Sequence, residues 1–262
     1  MTATVITATL GRSPHLPETV RSVAALGSDV HHILVCPADA RAALAAAHPG
    51  VEVVVEARPG LYAALNTAWP LAGKADLITW LNDDDLLLPA GFAQLAVLLA
   101  RRDELDFGYG RVELVDGRGR PVCEIPVAHR PADLAALLVQ GIMPLAQPGT
   151  VIRHRALKRL NGLDESYAIT GDLDLFVRAL AEGLRFGFVD APVAVFRLKA
   201  GQLSKRAAAV AAETARSLRP LAGVAASRRA RWRFWISNLG PYLQRVRRHG
   251  WVSMRDLYDR VT

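Results

Sequence analysis

The first hundred residues alternate short β-branched apolar runs with amphipathic helical segments of about ten residues, a pattern that few folds satisfy. Strands are expected over 3–9, His32–Cys36, 51–55 and 76–81, and helices over Pro14–Leu26, 38–47, 60–69 and 89–101. Successive βαβ units cross over with one hand and lay their strands parallel. The expected fold class is therefore α/β, a doubly wound, mostly parallel, Rossmann-like sheet.

After Arg102 the rhythm changes. Phe107–Gly110 and Arg111–Val115 read as strand, and Asp116-Gly117-Arg118-Gly119 is a hairpin signal before Pro121–Ile125. A helix is expected over Pro131–Gln140, a strand over Thr150–Arg153 and a helix from Asp172 to about Glu182. Short strands follow at Phe186–Val189 and Val193–Phe196, then helix rich in Ala and Arg from about Lys205. The expected organisation is one domain over 1–204, with a nucleotide-binding half (1–104) and an acceptor half (105–204), followed by a basic, aromatic helical tail over 205–262.

Composition narrows the setting. With 51% hydrophobic and 22% charged residues, the chain can bury a proper core. Cys36 and Cys123 supply neither a disulfide framework nor zinc spacing. The N-terminus enters a strand without a leader-like segment, and no apolar run approaches the roughly eighteen residues of a membrane span. A cytoplasmic protein is the expectation. The net charge of +7 is unevenly spread: residues 204–262 carry 13 Lys/Arg against 3 Asp/Glu, so the tail should have an anionic partner.

The chemistry concentrates at Asn82-Asp83-Asp84-Asp85, directly after the apolar run ending in Leu81. Adjacent carboxylates repel unless a cation neutralises them, and the carboxyl ends of strands are where open α/β sheets bind ligands. A solvated turn is the alternative. Gly171-Asp172 opens an apolar helix; Asp172 suits either an N-cap or a general base, and Asp174 gains from the helix dipole. Asn66, on an apolar helix, is suited to a ligand contact or a buried hydrogen bond. Gln147 lies in a turn leading into a strand, where it can satisfy backbone or substrate. The loop Phe196–Ser204 carries Arg197 and Lys199, which match a diphosphate in charge.

Taken in order, the segments VITATLGR, GLYAALNTAW, WLNDDD, YGRVELVDGRGR, QPGTVIRH, GLDESYAITGDLDLFVRAL and VFRLKAGQLS resemble a family 2 inverting glycosyltransferase of GT-A fold, over roughly residues 3–204. The resemblance implies a nucleotide-diphospho-sugar donor, a carbohydrate or lipid-linked acceptor, and a Mn2+ or Mg2+ cofactor on Asp84 and Asp85. It implies donor contacts from Thr7, Thr9, Arg12, Glu56, Asn66, Asn82, Asp83, Arg197 and Ser204, and acceptor contacts from Gln147 and Asp174. Asp172 matches the catalytic base. The implied product is surface polysaccharide or glycolipid. The chain departs from the family pattern after the second strand, where Val35-Cys36-Pro37-Ala38-Asp39 lacks an acidic pair, and at Arg58 and Ala63, where relatives often have Asp.

Two rival readings remain at this level: a sugar nucleotidyltransferase, and a catalytically idle binding protein of the same fold. In the tail, Trp232, Trp235, Ile236 and Leu239 fall at helical spacing, with Gly240-Pro241 expected to interrupt the helix. That face either packs on the domain or on a second copy, as in a homodimer, or lies on an anionic membrane such as the inner face of the plasma membrane. Nucleic-acid binding is not expected, because no aromatic-basic groove accompanies the charge.

Overall fold

The computed structural model describes residues 1–199 and 207–250. Its strands are β1 (Ala3–Ala8), β2 (Val30–Cys36), β3 (Glu52–Val55), β4 (Leu77–Trp80), β5 (Leu86–Leu87), β6 (Phe107–Val115), β7 (Pro121–Ile125), β8 (Thr150–Arg153) and β9 (Phe186–Arg197). They form one mixed sheet in the order β3-β2-β1-β4-β8-β6-β9-β5, with β7 beside β6. The helices are α1 (Leu16–Ala24), α2 (Arg41–Ala47), α3 (Leu61–Ala68), α4 (Pro89–Arg101), α5 (Leu134–Leu138), α6 (His154–Arg159), α7 (Gly171–Ala181), α8 (Ala207–Ser217), α9 (Arg228–Ser237) and α10 (Leu239–His249).

The β3-β2-β1-β4 portion is wholly parallel, as the βαβ pattern requires. Neighbouring residues in its strands serve opposite faces. Ile6, Ile33, Ile78 and Trp80 pack with Tyr62 and Leu65 of α3, whereas Val5, Leu77 and Leu81 pack with Phe92, Leu95 and Leu99 of α4. A sheet covered on both faces accounts for the near-continuous apolar runs. β8 then enters antiparallel between β4 and β6.

Three local features differ from the sequence expectation. The two strands foreseen at 186–189 and 193–196 are one strand, whose pairing with β6 shifts register around Arg111. Gly110 permits the irregularity, since a Cβ there would lie 2.4 Å from Val193 Cγ2. Second, α6 follows β8 directly. Third, β5 is a two-residue strand just beyond the acidic segment, paired antiparallel with β9 through Leu86↔Val195. It is too short to show a period, yet it ties the acidic loop to the strand that ends at Arg197.

The C-terminal helices pack with one face only. Ala230 and Phe234 of α9 are buried, and Asn238 exchanges hydrogen bonds with the Val127 backbone at 2.9 and 2.8 Å. Arg233 pairs with Asp133. Trp232 is 64% exposed, with Trp235, Ile236, Leu239 and Leu243 also exposed. The packed face is thus the Phe234 face and not the tryptophan face. The helix break comes at Asn238; Pro241 lies in the first turn of α10, where no amide partner is lost.

Candidate active site

The carboxyl edge of the parallel strands collects the site. Thr9 follows β1, Asn82–Asp85 follow β4, and Glu56 follows β3, its amide donating to Cys36 O at 2.9 Å across the edge to β2. Glu56 is half-buried, and burial raises its pKa above the ordinary carboxylate range.

Within the acidic loop the three carboxylates have different surroundings. Thr9 Oγ1 donates to Asp83 Oδ2 at 2.6 Å, and Ser13 Oγ donates to the Asp83 carbonyl at 2.9 Å. Asp85 is fully buried. Its Oδ1 accepts from the Arg197 amide at 2.9 Å, its Oδ2 accepts from Asn82 Nδ2 at 2.8 Å, and its carbonyl accepts from Thr19 Oγ1 at 2.9 Å. Burial, then the Asp84 charge, holds its pKa well above normal. Both Asp85 side-chain oxygens and the Asn82 amide are thus engaged inside the protein, so Asp85 braces the acidic loop.

Asp84 differs. Its Oδ2 lies 2.7 Å from Lys199 Nζ, which is also 3.7 Å from Asp83 Oδ1. Burial raises the Asp84 pKa despite the opposing Lys199 charge. Burial also works against the Lys199 ammonium, but Asp84 and Asp83 outweigh it and raise its pKa. A cation is therefore already seated between two hard carboxylates. The donor set fits Mg2+ or Mn2+, which takes such oxygens alongside phosphate and water. Lys199 was legible only as part of a basic loop; its approach to Asp84 depends on the β5–β9 pairing.

Arg197 joins this group but faces inward. It is 4% exposed, with Nε donating to the Asp84 carbonyl at 3.1 Å and Nη2 pairing with Glu18 of α1 at 2.7 Å. These contacts make it a tether for the acidic loop. Ser204 lies outside the described residues. Arg12 is exposed in the loop after β1.

Asp172 stands on a second element. Thr170 is the N-cap of α7 without a side-chain cap, so Asp172 is in the first turn and not the capping residue foreseen as one alternative. Burial raises its pKa to about 6, against the amides of Leu173 and its own residue, with a further push from Glu213. A carboxylate so placed is basic enough to accept a proton near neutrality. The preceding loop is pinned by Tyr62, whose hydroxyl donates to Ile169 O at 2.7 Å and accepts from the Gly171 amide at 2.8 Å. Residue 171 must be glycine: an added Cβ would lie 2.7 Å from the Tyr62 ring.

Several residues expected at the donor or acceptor have partners within the protein. Thr7 is buried and paired with His32 Nε2 at 3.0 Å. Asn66 is half-buried and hydrogen-bonded within the protein: its Nδ2 donates to Leu163 O at 2.8 Å and Glu165 Oε1 at 2.9 Å, and its Oδ1 accepts from the Leu163 amide at 3.0 Å. Arg58 pairs with the same Glu165 at 2.7 Å. Gln147 Nε2 donates to the Trp80 carbonyl at 2.6 Å, closing its turn onto the end of β4. Asp174, expected at the acceptor, is buried and held by Arg178 Nε at 2.7 Å.

The sheet is covered on both faces, with an acidic loop at its carboxyl edge and a carboxylate in the first turn of α7. Residues 2–234 match the model of the family described as glycosyltransferase like family 2, and the chain belongs to that family. No curated protein matches it significantly. Among solved structures, TarS 1–349 of S. aureus in complex with UDP-GlcNAc superposes with a TM-score of 0.66 at 14% identity, covering 100% of this chain and 79% of that one. The same protein with UDP gives 0.62 at 13% identity, covering 98% and 77%. A larger TarS structure gives 0.57 at 13% identity over 75% of this chain, which spans 37% of that chain's length. These likenesses share the GT-A fold.

Proposed function

We propose that this protein transfers a hexosyl group, with inversion, from a nucleotide-diphospho-sugar to an acceptor hydroxyl. The observation that carries the reading is the pairing of an acidic loop at the sheet edge with the separately held, weakly acidic carboxylate of Asp172. Asp172 takes the proton of the acceptor hydroxyl as that oxygen attacks the anomeric carbon from the face opposite the diphosphate. Asp84, with Asp83 beside it, would hold Mn2+ or Mg2+, which supplies charge neutralisation to the departing diphosphate. Thr9 and Asn82 keep the loop in shape; Glu56 stands on the edge suited to the nucleoside, with Arg12 near the phosphates.

The TarS complexes make uridine-diphospho-sugars the first donors to test. Incubation with sugar nucleotides, Mn2+ and candidate carbohydrate or lipid-linked acceptors should release nucleotide and yield a glycoside of inverted anomeric configuration by NMR. Retention of configuration, or no turnover with any donor and acceptor, overturns the reading.

The exposed Trp232, Trp235, Ile236 and Leu243, flanked by Arg228, Arg229, Arg231, Arg247 and Arg248, support peripheral contact with an anionic membrane at the cytoplasmic face, where a lipid-linked acceptor would be presented. Among the described residues no helix is long and apolar enough to cross a membrane. Flotation with anionic vesicles should capture the protein and lose it on W232S/W235S; equal capture of both contradicts this surface.

A further inference from the structure

The loop Ala168–Thr170, from which Asp172 emerges, is held from outside the sheet by one side chain of α8. Glu213 Oε1 accepts from the Ala168 amide at 2.9 Å, and its Oε2 accepts from the amides of Ile169 at 3.0 Å and Thr170 at 2.8 Å, and from Thr170 Oγ1 at 3.2 Å. Three consecutive amides converging on one carboxylate fix the backbone more tightly than any single turn bond. One turn further along α8, the Arg216 guanidinium lies 3.6 Å over the Tyr167 ring. Leu218 and Leu221, just beyond, pack on Leu173 and Val177 of α7 and on Leu138. The helix is therefore seated on the same element that carries Asp172.

We infer that Glu213 is a positioning residue for the catalytic base, setting through the loop Ala168–Thr170 where the Asp172 carboxylate points. The inference rests on the reading of Asp172 as the base. Tyr62 grips the same loop through Ile169 and Gly171, so the loop is held by side chains of both α3 and α8. Burial works against the Glu213 charge, yet the three amides outweigh it and keep its carboxyl below the ordinary range, so it stays ionised through neutral pH. Ala168 is exposed and Ile169 half-buried, so water can replace Glu213 on two of these amides. Loss of Glu213 should then cost geometry more than stability.

The test compares E213Q, E213A and D172N in full-length protein, reading kcat, donor KM, the kcat–pH profile and the nucleotide-induced thermal shift. A misplacement of about 1 Å can cost about a hundredfold in rate. E213A should lower kcat about 10- to 100-fold with donor KM and nucleotide shift near wild type. E213Q should fare no better, because its amide nitrogen would face amide donors. Among the described residues, Tyr62 and Glu213 bear on Asp172, and Glu213 raises its pKa, so removing the Glu213 charge should also move the acid limb to lower pH. Wild-type kcat and an unmoved limb in E213Q and E213A, with D172N silent, overturn this inference alone. Full activity in D172N overturns the base assignment on which it rests.

Discussion

Lys199 Nζ lies 2.7 Å from Asp84 Oδ2 and 3.7 Å from Asp83 Oδ1, so an ammonium stands between the two carboxylates best suited to a divalent cation. A divalent cation on Asp84 would have to displace the Lys199 ammonium, which is 41% exposed. A half-exposed pair is worth about 1 kcal/mol. K199M should therefore bind Mn2+ about fivefold more tightly than wild type without nucleotide, as read by Mn2+ electron paramagnetic resonance. Unchanged Mn2+ affinity would show that Lys199 does not compete.

Removing the base tests the transfer step. D172N should lower kcat by about 10²–10⁴ with nucleotide binding intact. Wild-type activity should rise with pH through about 6, the value to which burial pushes Asp172. The folded state holds this proton more tightly than the unfolded chain, so its stabilising effect is complete below the ordinary value of 3.8 and lost as pH rises through about 6. D172N should thus melt higher than wild type at pH 7.5 and lose that advantage at pH 4 in calorimetry. A D172N protein less stable than wild type at pH 7.5 contradicts this account of burial.

Tyr62 and Gly171 should fail in different ways. Y62F leaves the Gly171 amide and the Ile169 carbonyl without their partner, a loss of about 1–3 kcal/mol in urea denaturation together with a lower kcat. G171A forces a Cβ into the Tyr62 ring and should impair folding more severely. Equal, near-native stability of both would show that the Tyr62–Gly171 contact is dispensable.

The acidic residues separate by role. D85A removes the partner of the buried Arg197 amide and of Asn82, and should destabilise by about 1–3 kcal/mol in denaturant melts. D84N should leave stability without metal near or above wild type, since it removes a buried charge, while abolishing Mn2+ binding. A D85A protein as stable as D84N would contradict the brace assigned to Asp85.

Much of this was legible in the sequence for physical reasons. Strands buried on both faces, such as Leu77–Trp80, read as continuous apolar runs, and α4 begins at Pro89 as expected. The short β5, a strand of two residues, leaves no period to read. Asn66, Gln147 and Asp174 are polar residues whose partners, at Leu163, Trp80 and Arg178, are set by packing; for Asn66 and Gln147 those partners are distant in sequence. Lys199 and Glu213 were hidden for the same reason: each meets its partners only after β9 and α8 dock. The place of Asp172 at the start of a helix was readable; the contacts that hold the loop before it were not.

A cation-assisted nucleotide-diphosphate site on Asp84 would reveal itself in a thermal-shift comparison of wild type and D84N. UDP, GDP, dTDP and CDP are each added with and without Mn2+ or Mg2+. Wild type should be stabilised by at least one diphosphate only when the cation is present, by about 2.7 kcal/mol at a hundred times the dissociation constant, and D84N should lose that response. Stabilisation that is independent of the cation, or equal in D84N, or absent with every diphosphate, would contradict the account.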